Sequence, residues 1–214
     1  MARVTLADVR HAVDQEWAVR PESGIAWPDR HPDRAPLTEE YSRVTDPERY
    51  RVVGARAATW ASALVRLGLA RSEPLTVPPD VVGVGVERVR LVPTVPVALP
   101  LEITTRSLED VPGSVVDLAL GAPPVDVGIE PDCGCDACDT GSADLLGAVD
   151  DAFVRVLGGD LVVVVGPRDR KIVASSDEWS AAGWTRGVDD AIRRARRGER
   201  VGDRTLVSAS WWAV

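Results

Sequence analysis

The sequence predicts an α+β fold: one domain over residues 1–214, with a central, largely antiparallel β-sheet and helices packed against it. Three observations predict it. Apolar residues recur at helical spacing in the stretches 5–19, 46–69 and 142–157. Between about 78 and 129 the period changes to strict alternation. No glycine-rich first turn opens a βαβ series, which removes the parallel α/β alternative.

Taken in order, Thr5 and Asp8 give a helix-start signal, and Leu6, Val9, Val13 and Trp17 fall on one face of the helix that follows. "RPESGIAWPDRHPDRAP" is a proline-rich surface loop carrying Trp27 and His31. Thr45 and Glu48 stand in capping-box spacing, with Pro47 in the first turn, before a long helix over 46–69. Its buried face runs Tyr50, Val53, Ala57, Trp60, Leu64 and Leu67. In "VALPLEITT", Leu99, Leu101 and Ile103 face one way, and Pro100 suggests an edge strand. "SVVDLAL" and "VDVGI" flank "GAPP" and predict a hairpin over 115–129, with Val116, Leu118 and Leu120 against Val125, Val127 and Ile129. A helix over 142–157 follows, with Ser142 as its cap and Gly158 and Gly159 as its stop. "DLVVVVG" and "RKIVASS" read as two strands joined at Gly166-Pro167-Arg168-Asp169. A last helix spans about 187–197, and "LVSASWW" reads as a terminal strand.

A formal charge of -8 repels phosphate backbones and anionic bilayers, so neither nucleic acid nor a membrane is an expected partner. No apolar run is long enough to cross a bilayer, and the N-terminal stretch lacks the apolar segment of a signal peptide. A reducing cytoplasm is the expected setting, where clustered thiols read as metal ligands, redox groups or plain packing rather than structural disulfides. Lys171 is the only lysine among 25 basic residues, a codon signature of a high-GC genome.

The chemically loaded stretch is "EPDCGCDACDTG", which holds every cysteine of the chain: Cys133, Cys135 and Cys138. Cys135 and Cys138 have the spacing of a zinc knuckle, and Cys133 adds a third thiolate. A second knuckle is missing, so the fourth ligand of a zinc ion would have to be His11, His31, Asp132, Asp136, Asp139 or water. The competing readings are a redox pair, Cys135 and Cys138, ahead of a helix N-terminus, and cysteines that merely pack under the hairpin.

Other features carry less. "GVGVERV" has Gly83 and Gly85 but no third glycine, and reads as a valine-rich strand. Arg193, Arg194, Arg196, Arg197 and Arg200 end a helix opened by Asp189 and Asp190, the charge order that the helix dipole favours on a solvated face. Trp179, Trp184, Trp211 and Trp212 gather near the C-terminus and are read as packing. No nucleophile elbow, zinc-protease helix or phosphate loop occurs.

"YSRVTDPERY" (41–50) and "CGCDACD" (133–139), in that order, resemble an uncharacterised actinobacterial family carried as a domain of unknown function, over roughly residues 38–157. The resemblance implies an intracellular actinobacterial protein and brings no activity. The two motifs are expected to pack together. The function expected from the whole is a non-catalytic cytoplasmic binding protein for a protein or small-molecule partner, with structural zinc on Cys133, Cys135 and Cys138. A thiol-dependent oxidoreductase using Cys135 and Cys138 is the alternative, and a small metal-dependent hydrolase the third reading.

Overall fold

The computed structural model describes residues 4–77 and 85–212. Helix α1 (Leu6–Trp17) starts where local chemistry places it: Thr5 and Asp8 exchange hydrogen bonds in a capping box. It buries Val9, Ala12 and Val13. The expected helix over 46–69 is shorter. Pro47–Arg51 form a 3-10 turn behind Asp46, whose backbone is left-handed (φ 50°), and helix α2 proper is Val52–Arg66. Thr45 does not cap it, because its N–H and hydroxyl both donate to Asp136 instead.

Helix α2 nevertheless buries the predicted face, with Val53, Ala57, Trp60 and Leu64 inaccessible to solvent. It rides so close to the sheet that a Cβ on Gly54 would stand 2.4 Å from the carbonyl oxygen of Gly113. Trp60 stacks on Phe153 of helix α3 (Ser142–Leu157), with ring centroids 5.2 Å apart. A polar clamp fixes the three helices to one another. Arg56 of α2 donates to both carboxylate oxygens of Asp150 (2.8 and 2.7 Å) and to Asp14 (2.9 Å), and Trp60 Nε1 also donates to Asp150.

The strands are antiparallel throughout, as the alternation predicts, but they form two sheets rather than one. The first is a meander of β1 (Ala70–Pro74), β2 (Glu87–Pro93), β3 (Leu101–Leu108), β4 (Val111–Leu120) and β5 (Val125–Glu130) in chain order. Gly83 lies outside the described residues. Strand β3 is central, not an edge; Pro100 sits just before it and its carbonyl accepts the N–H of Gly121. The predicted hairpin is β4–β5. An irregularity at Leu118/Ala119 shifts its register, so Ile129 faces Asp117 and is 38% exposed rather than turned inward.

The second sheet has the order β8 (Trp179–Ala182), β7 (Lys171–Ala174), β6 (Val162–Val165), β9 (Arg204–Val207). Its faces explain the unbroken valine run. Val163 points into the main core with Val173 and Leu206, while Val162 and Val164 pack under helix α4 (Val188–Arg196) against Ala191, Ile192 and Ala195. Trp211 and Trp212 close the main core, Trp184 leans on the smaller one and Trp179 is exposed, so the four do not line a common groove. No helix among the described residues is long and apolar enough to cross a membrane.

Candidate metal centre

Strand β5 delivers the chain to the cysteine loop and α3 leaves it. Within the loop, Asp136–Cys138 make one 3-10 turn, with the N–H of Cys138 on the carbonyl of Cys135. This folding gives the segment two faces. The three sulfurs turn toward each other: all lie within 4.8 Å of one another, and Cys133 Sγ is 3.1 Å from Cys135 Sγ. Cys135 is buried, whereas Cys133 and Cys138 are exposed.

Two of the loop's aspartates, Asp136 and Asp139, are held by partners outside the sulfur group. Asp136 is completely buried. It accepts the N–H and hydroxyl of Thr45 (2.7 and 2.6 Å) and Arg43 Nε (2.6 Å), and Arg30 Nη1 is 3.5 Å away. Its own N–H donates to the carbonyl of Arg43. Burial alone would raise the Asp136 carboxyl; the hydrogen bonds from Thr45 and Arg43 outweigh it and hold the group down at about 2. Asp139 accepts Trp27 Nε1 (2.8 Å), the N–H of Gly141 and the guanidinium of Arg49. Arg49 in turn lies over the rings of Trp27 and Tyr50, which meet edge to face at 5.8 Å.

The expected meeting of the two motifs is therefore a structural fact: Arg43, Thr45 and Arg49 of "YSRVTDPERY" grip Asp136 and Asp139 of "CGCDACD". The proline loop joins them. The backbone of Trp27 exchanges hydrogen bonds with the N–H and hydroxyl of Ser142, so Ser142 ties α3 to this loop while Gly141 occupies the cap position. Gly141 (φ +93°) is needed here, because a Cβ would stand 2.6 Å from the backbone nitrogen of Asp29.

The chain matches the profile of the family of unknown function DUF6226 over residues 13–213. It belongs to that family. No curated protein and no solved structure matches the chain. The family match reaches well beyond the 38–157 expected from the two motifs, and takes in the second sheet and α4.

Neither histidine joins the sulfurs. His11 lies exposed on α1, 2.9 Å from Gln15 Nε2. His31 is the turn residue expected in the proline loop, its N–H donating to Asp29 Oδ1 (2.7 Å), but its side chain is only 7% exposed and Nε2 stands 3.6 Å from Glu40 Oε2. Among the described residues the only close group of possible metal ligands is Cys133, Cys135 and Cys138. Sequence reasoning missed Trp27, Arg30, Arg43, Arg49 and Tyr50 as the frame of this loop, since nothing local to an arginine names the carboxylate it will meet.

The thiols perturb one another. Burial pushes Cys135 up, but hydrogen bonds with the Cys133 and Cys138 thiols and with the N–H groups of Cys138 and Ala137 outweigh it and bring the group below the ordinary thiol range. Cys138, hydrogen-bonded to Cys135 and partly buried, is pushed up to about 12. Three negative sulfurs this close repel each other unless a cation sits between them.

A third carboxylate braces the frame from outside. Glu40 is buried and accepts Arg34 through both oxygens (2.8 and 2.9 Å) and the N–H of Leu37 (2.6 Å). Arg34 foremost, then Leu37, hold its carboxyl at about 2 against an ordinary 4.5. Between those values the unfolded chain carries a proton that the folded chain does not. Stability from this group is therefore complete above 4.5 and is lost as pH falls through about 2. The expected result is a melting temperature that falls more steeply from about pH 5 to about pH 2 in the wild type than in Glu40→Gln. Parallel curves would remove Glu40 from the acid sensitivity.

Proposed function

We propose that this protein is a non-catalytic cytoplasmic binding protein whose loop holds one zinc ion on Cys133, Cys135 and Cys138, and that residues 1–214 act as one domain. The observation that carries the reading is the convergence of the three sulfurs within 4.8 Å. Zinc with bonds of about 2.3 Å needs sulfurs about 3.8 Å apart, a spacing this loop reaches with small adjustments. Cysteines that only pack would point their sulfurs apart into the apolar core, and exposed Cys133 and Cys138 do not. The ion would tie the end of β5 to the start of α3 at the point where the segments 25–31 and 41–50 converge, which makes the role structural. The arginine bias and the paired motifs support an actinobacterial origin.

A second reading keeps one observation in its favour: Cys135 and Cys138 bracket the single turn Asp136–Cys138 in Cys-x-x-Cys spacing, as an oxidoreductase pair would. Against it, Cys135 is the buried member and the sulfur standing 3.1 Å from it is that of Cys133.

The test is elemental analysis of protein purified without a metal-affinity column, alongside thiol titration before and after a chelator. Near-stoichiometric zinc, with thiols unmasked by the chelator, is expected. Three freely reactive thiols and no metal would sink the proposal. Ready formation of a Cys135–Cys138 disulfide by peroxide would then favour the redox reading.

A further inference from the structure

A zinc ion on three protein thiolates has a fourth position, and the structure limits what can fill it. Both oxygens of Asp136 and of Asp139 are taken by Thr45, Arg43, Trp27, Gly141 and Arg49. Neither histidine nor Asp132 belongs to the close ligand group. The sulfurs also differ in access. Cys135 is buried at the back, while Cys133 and Cys138 line a pocket of about 160 Å³ with Tyr50, Glu130, Asp132 and Asp144. The Cys133 and Cys138 side of the sulfur group therefore opens on this pocket, where a ligand can reach it.

The pocket's charge selects what enters. Among the described residues its lining includes Glu130, Asp132 and Asp144 and no arginine, lysine or histidine. Asp139 also borders it, already neutralised by Arg49. The N-terminus of α3 favours negative charge, and Asp144 in its first turn supplies that charge from within. A zinc ion on three thiolates has a net charge of about -1, so the ion adds no attraction for anions. At about 160 Å³ the pocket has room for a few waters or one small ring.

Resting on the zinc reading above, we infer that the ion keeps its fourth position open toward this pocket and takes there a small uncharged donor. Water fills it at rest, and a neutral nitrogen ligand of the imidazole class exchanges with it, while anions are excluded. The site is then a binding site for small neutral bases as well as a structural tie.

The test uses the full chain loaded with cobalt(II), whose visible bands report the ligand set. Imidazole is expected to shift the bands saturably at one equivalent per cobalt, while azide at the same concentration leaves them unchanged. In the double variant Glu130→Gln/Asp144→Asn, azide is expected to bind roughly tenfold tighter than to the wild type, because two unit charges have left the pocket wall. Bands unmoved by imidazole in protein holding one cobalt would overturn the open position and leave the zinc reading standing. Azide binding the wild type as tightly as imidazole would overturn the ligand class. Failure to hold cobalt or zinc at all would bring down the zinc reading and this inference together.

Discussion

Replacing Asp136 with alanine is expected to lower unfolding stability by about 2–4 kcal/mol, the largest loss of any single change in the loop outside the cysteines. The carboxylate is fully buried and serves the N–H and hydroxyl of Thr45 and the guanidinium of Arg43 at once. Removing it leaves the half-buried N–H and hydroxyl of Thr45 facing the buried space the carboxylate filled, and a group left unsatisfied there costs about 1–3 kcal/mol, less where solvent can reach it. Arg43 is 51% exposed and can turn to solvent or to Glu40, which keeps the loss below that of a fully buried ion pair. The Asp136→Asn variant keeps one acceptor oxygen and loses the charge, so it should fall between wild type and alanine. For a chain of this length, the alanine variant should melt roughly 5–15 °C lower. Urea unfolding followed by tryptophan fluorescence measures the loss directly. A change below about 0.5 kcal/mol, the level of ordinary surface substitutions, would show that the clamp is ornamental to the fold.

Most of the architecture was legible because it is written locally. The Thr5–Asp8 box, the alternation of β4 and β5, the valine run of β6 and the periodic face of α3 each state their structure within a dozen residues. Strands β1 and β8 were not legible, and both are sheet edges. "ARSEP" and "WSAA" leave most of their side chains in solvent, so neither carries the apolar alternation that marks a half-buried strand. The division into two sheets was hidden for a different reason. Pairing β6 with β9 closes a loop of some forty residues, and no pattern inside either strand names its partner.

The site divides along the same line. Three cysteines in six residues announce a metal-ligand set by spacing alone, and the sulfurs do converge. The aspartates beside them read equally well as ligands, and only long-range contacts decide otherwise: Arg43 and Thr45 reach Asp136 across some ninety residues of chain. Thr45 shows how a local signal can mislead. Its spacing to Glu48 satisfies the capping pattern, but a buried carboxylate needs both of its donors, and the helix begins later with an uncapped 3-10 turn. His31 keeps its place in a turn, but nothing in the proline loop's sequence foretells that its ring packs beside Glu40.

Serine in place of any one of the three cysteines is expected to weaken zinc binding by roughly 10²–10³-fold, and to do so about equally at all three positions. Structural zinc sites bind with about 10–16 kcal/mol over four ligands, or about 2.5–4 kcal/mol for each. A serine hydroxyl stays protonated near neutral pH and replaces little of a thiolate's bond. Asp132→Asn is the companion variant: Asp132 is exposed and stands outside the close ligand group, so its affinity should stay within about threefold of wild type, the effect of one solvated charge nearby. Competition with a chromophoric chelator at fixed pH reads all four values. The equality of the three serine variants is the discriminating feature. An oxidoreductase pair would make Cys135→Ser and Cys138→Ser matter and leave Cys133→Ser silent. Packing alone would cost stability at buried Cys135, cost almost nothing at exposed Cys133 and Cys138, and show no zinc to lose. Only an ion bound at the centre of the sulfur triangle requires the three substitutions to behave alike, because each then removes the same bond from the same metal.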